Sequence, residues 1–227
     1  MKKYKKVAAI ECLALAIDKI SLPHPVRIGI DGMSAAGKTV LANELAKKLR
    51  GMGRFVIRSG LDSFHNPKEI RHRQGRMSIK GYIEDSFDYK SVCKEILIPL
   101  GPKGDGMYRE GIFDYKKEQL AEKSTSLAPI DSILIFEGVM LFNNKLKDMF
   151  DYRILVHCSE DEVMKRAKER DHEHFGSIDI LKEKYFQRFL PGQRIHVEKN
   201  KPHETADAVI FNSNPENPII KFNSPYK

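Results

Sequence analysis

The chain has 227 residues, of which 41% are hydrophobic and 31% are charged, a composition typical of a globular protein with one α/β domain. No apolar stretch approaches the roughly 20 residues that span a bilayer, so a transmembrane protein is not expected. The 39 Lys and Arg residues outnumber the 31 Asp and Glu residues and give a net charge of +8, which favours anionic ligands without identifying them.

The first predicted element is a helix over residues 7–20. A basic start followed by an apolar run resembles a secretion signal, but Glu11 interrupts that run. Apolar residues recur every three or four positions, which is the spacing of one helical face. We therefore expect an amphipathic helix that packs on the domain rather than a cleaved leader.

Five short apolar runs then predict β-strands, and helical segments separate most of them. The strands are expected at 26–30, 54–58, 132–136, 152–157 and 208–211, and the helices at 40–50, 89–98, 160–171 and 178–189. Short apolar strands alternating with helices are typical of a parallel sheet covered on both faces. The predicted fold is a three-layer α/β/α domain with a five-stranded parallel sheet.

Two further regions set the domain organisation. Residues 62–128 form a long polar insertion between the second and third strands, and a region of this kind is more often functional than a linker. Residues 215–227, rich in Pro and Asn, predict a loosely ordered tail. We expect a single domain over 1–214, with a helical lid at about 166–190.

A glycine-rich loop carries the strongest chemical signal. Residues 32–39, with the sequence Gly-Met-Ser-Ala-Ala-Gly-Lys-Thr, fit the pattern G-x-x-x-x-G-K-[ST] between a strand and a helix. In such a loop the backbone N–H groups surround the phosphates, Lys38 reaches the β- and γ-phosphates, and the Thr39 hydroxyl is a magnesium ligand. A helix-capping glycine turn would explain Gly37 but not Lys38 and Thr39. The predicted nucleotide-binding residues are Gly32, Ser34, Ala35, Ala36, Gly37, Lys38 and Thr39.

Two acidic residues follow neighbouring strands and are expected at the same edge of the sheet. Asp62 comes after the second strand and Glu137 ends the third. The carboxyl ends of parallel strands line one crevice, so both carboxylates should face the phosphates. There a carboxylate accepts the proton of an attacking hydroxyl or holds the water shell of the metal. A turn residue and a helix N-terminal carboxylate are the structural alternatives.

Basic residues and a histidine pair leave two interpretations open. Arg166 and Arg170 lie four apart on one predicted helix, either as a solvated face or as a lid that neutralises the transferring phosphoryl group. Arg71, Arg73 and Arg76 belong to a basic loop that is either solvated or contacts an anion, and Arg73 and Arg76 would favour an acceptor with a phosphate or carboxylate. His172 and His174 have no third ligand at metal-binding spacing, so a lid position is favoured.

The motifs resemble those of the uridine kinase and phosphoribulokinase group of P-loop kinases. The resemblance covers roughly residues 6–214 and rests on the segments RIGIDGMSAAGKTVLANELA, LDSFHNP, DSFDY, ILIFEGV, KRAKERD, FLPGQR and ADAVIFN. It implies that Asp62 is the general base, that ATP and magnesium bind at residues 32–39 with Glu137 nearby, and that Arg166 and Arg170 begin the lid. The implied catalytic residues are Lys38, Asp62, Arg166 and Arg170. The implied acceptor contacts are Asp62, Phe64, His65, Arg73, Arg76, Tyr82, Tyr108 and Glu137, and the implied magnesium ligands are Thr39 and Glu137.

Departures from that resemblance concern the acceptor. Uridine-cytidine kinases carry an F-D-H-P segment whose Asp holds the ribose hydroxyls, whereas residues 81–84 read Gly-Tyr-Ile-Glu. Those kinases also carry a Tyr-Asp-Phe segment followed by a His and an Arg around the pyrimidine. Of these residues, this chain keeps only Tyr108 and an aromatic-acidic pair. The kinase prediction is therefore firmer than the uridine prediction, because function depends on the site rather than on the fold.

The leading hypothesis is an ATP-dependent kinase of a small hydroxylated acceptor, uridine kinase-like and acting on a nucleoside. The alternatives are a kinase of pantothenate, nicotinamide riboside or a sugar phosphate, or a basic P-loop NTPase that binds nucleic acid, although no nucleic-acid motif is present. ATP and magnesium are the expected ligands, no membrane partner is expected, and a homo-oligomer remains open. Three widely spaced cysteines support neither disulfides nor a zinc cluster, so a cytoplasmic location is expected.

Overall fold

The structure is a computed structural model that describes residues 2–3 and 5–223, without the side chains of residues 2–3 and 172–174. The strands in this part of the chain are β1 (Lys2–Lys3), β2 (Val26–Gly32), β3 (Val56–Gly60), β4 (Met107–Tyr108), β5 (Phe113–Asp114), β6 (Gln119–Leu120), β7 (Ser126–Leu127), β8 (Ile133–Gly138), β9 (Tyr152–His157), β10 (Ala208–Phe211) and β11 (Ile219–Phe222). The α-helices are α1 (Lys6–Asp18), α2 (Lys38–Gly51), α3 (Lys68–Arg71), α4 (Ile79–Asp85), α5 (Tyr89–Val92), α6 (Glu160–Phe175), α7 (Ile178–Lys184), α8 (Leu190–Asn200) and α9 (Pro202–Thr205). Leu61–Phe64 form a 3₁₀ turn, and Cys93–Leu97 and Tyr185–Phe189 form π-helical turns.

One seven-stranded sheet dominates the described residues, in the order β1-β11-β10-β9-β2-β8-β3. The run β10-β9-β2-β8-β3 is parallel, with Ile28 of β2 level with Ile135 of β8 and Tyr152 of β9. This confirms the predicted α/β fold and its five parallel strands. All seven residues of β2 are buried, as is normal for a central strand covered by helices on both faces.

The segment expected to be a loosely ordered tail instead extends the sheet. Residues 219–222 form β11, which pairs antiparallel with β10 and, on its other side, with β1. Ile220 is 2% exposed and belongs to the core. The prediction was wrong for this segment because the backbone groups of β10, which would otherwise be unpaired at the sheet edge, pair with those of β11, and Ile220 adds an apolar side chain to the core.

Helices pack on both faces of the sheet and enclose two hydrophobic cores. On one face α1 packs against α2, and Leu13, Ile17 and Leu45 are fully buried there. This confirms the predicted amphipathic helix, since α1 buries Ala9, Ile10, Leu13, Ala14, Ala16 and Ile17 while Val7 stays exposed. In the described part of the chain no helix is both long enough and apolar enough to cross a bilayer.

The insertion over residues 62–128 supplies the second core, although its sequence is polar and looked irregular. It contains α3, α4, α5 and a π-helical turn, and its apolar side chains pack on the other face of the sheet. The buried contributors include Tyr82, Phe87, Tyr89, Val92, Ile96, Leu97 and Leu100. The length of the insertion therefore has a packing explanation as well as a functional one.

The predicted lid is a helical region that follows β9. Ser159 caps α6, whose N-terminal turn holds three acidic residues, and α6 extends to Phe175 rather than ending at residue 171. From Ile178 to Asn200 the chain remains helical, with the π-helical turn Tyr185–Phe189 between α7 and α8. A π-helical turn shifts the helix register by one residue and is frequent at functional sites.

Candidate active site

The strands β2, β3 and β8 end at the same edge of the sheet, and the site is built there. The phosphate-binding loop follows β2, Asp62 follows β3, and Glu137 is the second-last residue of β8. Lys38, Thr39, Asp62 and Glu137 all line one cavity of about 510 Å³. The prediction that these four residues share one crevice is therefore confirmed.

Backbone geometry shapes the loop before α2. Gly37 has φ of +101°, a left-handed conformation that favours glycine, and a Cβ added there would lie 2.5 Å from Asn212 Nδ2. Asn212 uses that nitrogen to donate a hydrogen bond of 2.8 Å to the carbonyl of Ala36. In the structure as described, no side chain caps α2, so its first N–H groups point towards any anion held by the loop.

Lys38 is the basic residue at the centre of the loop. It is 8% exposed, and its Nζ donates to the carbonyl of Met33 at 2.9 Å. Burial lowers the pKa of Lys38, against the opposing charges of Glu137, Asp31 and Asp62. An ammonium group with carboxylates around it and a single carbonyl partner can donate its remaining hydrogen bonds to phosphate oxygens.

Asp31 supports the loop from behind, and sequence reasoning missed it. Its carboxylate accepts hydrogen bonds from the backbone N–H groups of Gly32 at 2.6 Å and Phe142 at 2.9 Å, and from His196 Nε2 at 2.8 Å. Burial acts to raise the pKa of Asp31, but His196 and these hydrogen bonds hold it below its usual value of 3.8. The carboxylate thus joins β2, the segment after β8 and α8 at the start of the loop.

Gln193 was missed as well, although it lies in the segment FLPGQR that carried part of the family resemblance. Its Oε1 accepts from the backbone N–H of Ser34 at 3.0 Å, and its Nε2 donates to Ser34 Oγ at 3.0 Å and to the hydroxyl of Tyr82 at 2.9 Å. Burial raises the pKa of Tyr82 to about 12. Gln193 therefore links the phosphate loop to an aromatic wall of the cavity.

Asp62 lies on the 3₁₀ turn that follows β3, and His65 directly follows that turn. The Asp62 side chain is 76% exposed, and His65 Nδ1 lies 3.0 Å from the carbonyl of Asp62. The imidazole lies between Phe87 and Tyr115, with ring centroids 4.6 and 5.1 Å away, and its burial lowers the pKa of His65. The aromatic contacts fix the turn, so the carboxylate projects into the cavity from a rigid base.

Arg166 and Arg170 occupy different positions. Arg166 donates to the carbonyls of Asn212 at 2.7 Å and Ala36 at 3.3 Å, and pairs with Glu162, so it braces the loop. Arg170 lines the 510 Å³ cavity, where it binds the Asp171 carboxylate. Both arginines also line a second cavity of about 670 Å³, and Lys38, Thr39 and Arg170 face both spaces.

Two aromatic residues predicted to contact the acceptor lie elsewhere. Phe64 is fully buried against Phe136, and Tyr108 is 4% exposed in the second core as part of β4. Neither residue lines the cavity. The structure therefore does not support either ring as an acceptor contact, because both are packed in the second core.

The two arginines predicted to bind the acceptor also lie away from the cavity. The Arg73 side chain is 63% exposed and pairs with the buried carboxylate of Asp85. Arg76 is exposed and lies outside the cavity lining. Arg71 from the same basic loop does line the cavity. The other basic residues of its lining are Lys38, His65, Lys68, His72, Lys116, Arg170, Lys184 and Arg188. The side chains of His172 and His174, expected on the lid, fall outside the described residues.

Known proteins resemble this chain in sequence and in fold. Residues 28–184 match a family model described as an AAA domain. The uridine kinase of Lactobacillus helveticus is 27% identical over 195 residues, which cover 83% of this chain and 87% of the relative. Uridine-cytidine kinase B of Dictyostelium discoideum is 28% identical over 190 residues, or 82% of this chain and 74% of the relative. A solved structure of a possible uridine kinase from Bacillus stearothermophilus matches with a TM-score of 0.71 at 20% identity, covering 89% of this chain and 97% of that one.

Proposed function

Because this chain belongs to the family described as an AAA domain and to the uridine kinase and phosphoribulokinase group of P-loop kinases, we propose that it moves the γ-phosphoryl group of ATP to a hydroxyl of a small acceptor. The observation that carries this proposal is the cavity in which Lys38, Thr39, Asp62 and Glu137 meet. A phosphate-binding cation and a solvent-accessible carboxylate in one crevice are the groups that phosphoryl transfer to an alcohol requires.

The two cavities that meet at α2 have the right arrangement for a nucleoside triphosphate. Lys38, Thr39 and Arg170 face both of them, so a phosphate chain at the helix N-terminus would have the acceptor on one side and the nucleoside on the other. Pro215 and Pro218 supply apolar surface in the nucleoside cavity. Arg166 holds the loop open between the two by its bonds to Ala36 and Asn212.

Magnesium fits the donor set at this edge. The exposed Thr39 and the Glu137 carboxylate both line the cavity, and magnesium prefers one or two such oxygens together with phosphates of the substrate. Bound there, the ion would neutralise charge on the transferring group. Glu137 Oε1 also lies 3.6 Å from Arg58 Nη2, which holds the carboxylate at the end of β8.

Asp62 is the proposed general base. The acceptor oxygen forms a bond to the γ-phosphorus, the bond from that phosphorus to the β–γ bridging oxygen breaks, the hydroxyl proton moves to the Asp62 carboxylate, and ADP leaves. Uridine is the first acceptor to test, because the relatives named above are uridine kinases. Residues 81–84 depart from the F-D-H-P segment expected of uridine-cytidine kinases, so hydroxylated compounds other than nucleosides are tested beside uridine.

The test compares Asp62→Asn and Lys38→Ala with the exposed control Asp148→Asn. We expect Asp62→Asn to keep ADP affinity within about twofold and to lose phosphoryl transfer by roughly 100-fold or more, because an amide cannot accept the proton. Lys38→Ala should lose both nucleotide affinity and transfer. ADP binding is measured by calorimetry, transfer by ADP release with uridine and other hydroxylated acceptors, and folding by circular dichroism.

Each outcome of this experiment has a separate meaning. Wild-type turnover in a folded Lys38→Ala protein would contradict the kinase proposal. Unchanged transfer in Asp62→Asn would remove Asp62 as the base and leave the nucleotide site in place. A parallel loss of ADP affinity and transfer in Asp62→Asn would instead assign Asp62 to the metal shell and make Glu137 the next candidate base.

A further inference from the structure

Among the residues that the structure describes, Arg188 is a buried cation without an acidic partner. It is 6% exposed and lines the 510 Å³ cavity. Among the described residues no carboxylate lies within ion-pair distance of it, its Nε has no hydrogen-bond partner, and its Nη2 reaches only the carbonyl of Arg71 at a long 3.5 Å. Buried guanidinium groups are normally paired, because an unpaired buried charge is strongly unfavourable. The arrangement therefore calls for an anion from outside the chain.

Other positive charges gather around Arg188 from separate elements. Lys184 precedes it on the helical lid, and Lys68 and His72 come from α3 and the residue after it. Burial lowers the pKa of Lys184, and the nearby charges of Arg188, Arg76 and Lys68 lower it further. Burial and the charge of Arg188 likewise lower the pKa of His72. Mutual repulsion of this kind destabilises the protein and disappears when an anion binds.

Arg71 lines the same cavity but, unlike Arg188, it is paired with a carboxylate. Its guanidinium bonds both carboxylate oxygens of Glu118 and the carbonyl of Asn66. Glu118 is therefore occupied and does not neutralise Arg188. The contrast between the two arginines indicates that the lack of a carboxylate partner is specific to Arg188 and is not shared by every arginine in this wall of the cavity.

Arg188 is connected to the phosphate loop through neighbouring side chains. It lies on the π-helical turn Tyr185–Phe189, with its guanidinium carbon 5.5 Å from the Tyr82 ring centre and 5.7 Å from that of Phe189. Tyr82 is bound through its hydroxyl to Gln193, which holds Ser34 of the loop. One connected set of side chains thus joins the cation to the place where the phosphates bind.

We propose that the acceptor is an alcohol that also carries an anionic oxygen group, a phosphate or a carboxylate, and that this group binds Arg188 beside Lys184 while the hydroxyl lies at Asp62. This inference rests on the proposed kinase function and narrows its acceptor from any small alcohol to a hydroxylated anion. The transfer step is unchanged: the hydroxyl oxygen bonds to the γ-phosphorus, its proton goes to Asp62, and ADP leaves.

The first test measures anion binding without turnover. Because the phosphate loop itself binds phosphate, the protein is first saturated with ADP and magnesium, and inorganic phosphate is then compared with chloride at equal ionic strength. We expect phosphate to raise the melting temperature of the wild type and of the exposed control Arg194→Met, and to leave that of Arg188→Met unchanged. Without phosphate, Arg188→Met should melt at or above the wild-type temperature, because it removes an unpaired buried charge.

The second test compares acceptors that differ only in charge. Sugar monophosphates form the phosphate arm, hydroxy acids form the carboxylate arm, and each is paired with its neutral parent and with uridine. We expect kcat/KM for the preferred anion to exceed that for its neutral parent by about 100-fold, and Arg188→Met to abolish this preference mainly through KM. Arg188→Lys should restore part of it, because the charge returns without the planar donors.

The two proposals fail in different ways. Equal turnover of uridine by wild type and Arg188→Met, with no preference for anions and no phosphate effect on melting, would overturn the anion site and leave the kinase function intact. Normal ADP binding and a phosphate effect that depends on Arg188, but no transfer to any acceptor, would overturn the kinase function and leave the anion site.

Discussion

Asp31 and His196 form a buried pair behind the phosphate loop. The two side chains are 1% and 6% exposed, and Asn200 Nδ2 lies 3.0 Å from the other ring nitrogen of His196. Three chain segments therefore meet at the Asp31 carboxylate, and its charge opposes the lowering of the Lys38 pKa by burial. A buried group bonded in this way should contribute both to stability and to the position of the loop.

The pair leads to a prediction about stability and pH. The folded-state pKa of Asp31 lies below the usual 3.8, so its contribution is fully present above that value and is lost as the pH falls through the folded-state pKa. We expect Asp31→Asn to lower the free energy of unfolding by about 2–3 kcal/mol at neutral pH, because a charged hydrogen-bond acceptor is removed. Urea unfolding between about pH 3 and pH 7 measures it. The difference in unfolding free energy between the variant and the wild type should narrow only at acidic pH, and an equal difference at every pH would contradict an ionised Asp31.

At the scale of elements, β11 decides how the sheet ends. Its residues alternate between the core and the surface, with Ile220 buried and Lys221 exposed. The neighbouring β10 is parallel to β9 on one side and needs an antiparallel partner on the other to satisfy its backbone groups. The strand therefore completes the domain rather than trailing from it.

A pair of matched substitutions tests this strand. Ile220→Ala should lower the free energy of unfolding by about 2–4 kcal/mol, because it leaves a cavity in a packed core, whereas Lys221→Ala should change it by less than about 0.5 kcal/mol. Chemical denaturation of the two variants beside the wild type gives both values. A silent Ile220→Ala would mean that residues 219–222 are a loose tail after all.

At the scale of the whole molecule, the net charge of +8 overstates how many basic side chains are free to bind a polyanion. Many arginines are paired with carboxylates across the surface and within clefts, and the pairs include Arg27–Asp151, Arg54–Asp18, Arg71–Glu118, Arg153–Asp207, Arg166–Glu162 and Arg194–Glu160. Paired cations release few counterions from a polyanion. The cavity of about 510 Å³ is lined by more Lys and Arg residues than Asp and Glu residues, so it is a basic space that a small anion can enter.

This distribution predicts the behaviour towards nucleic acid. The dissociation constant for a mixed-sequence oligonucleotide should exceed roughly 10 μM at about 150 mM salt, and the oligonucleotide should leave ATP turnover unchanged. Fluorescence anisotropy over a range of salt concentrations measures the affinity and its salt dependence. Tight binding with a steep salt slope and stimulated ATP hydrolysis would instead favour a nucleic-acid-dependent NTPase.

Local patterns in the sequence predicted most of the fold and the phosphate end of the site. The apolar runs located five parallel strands, and the motif at residues 32–39 located the loop, because strand burial and a tight glycine turn each depend on neighbouring residues. Asp62 and Glu137 were also placed correctly, since residues that follow parallel strands must meet at one edge. These inferences need only short-range periodicity and chain order.

Only the tertiary structure decided which polar and aromatic side chains face the cavity of about 510 Å³. Arg73 and Arg188 are the same residue type in the sequence. Arg73 is exposed and paired with Asp85, whereas Arg188 is buried and has no carboxylate partner among the described residues. Gln193 binds Ser34 across 159 positions of sequence, and Phe64 turns into the core two residues after the exposed Asp62. Contacts of that range depend on how the lid and the insertion pack on the sheet. No local pattern records that packing, because the direction of a side chain is set by the elements it meets rather than by its neighbours in the chain.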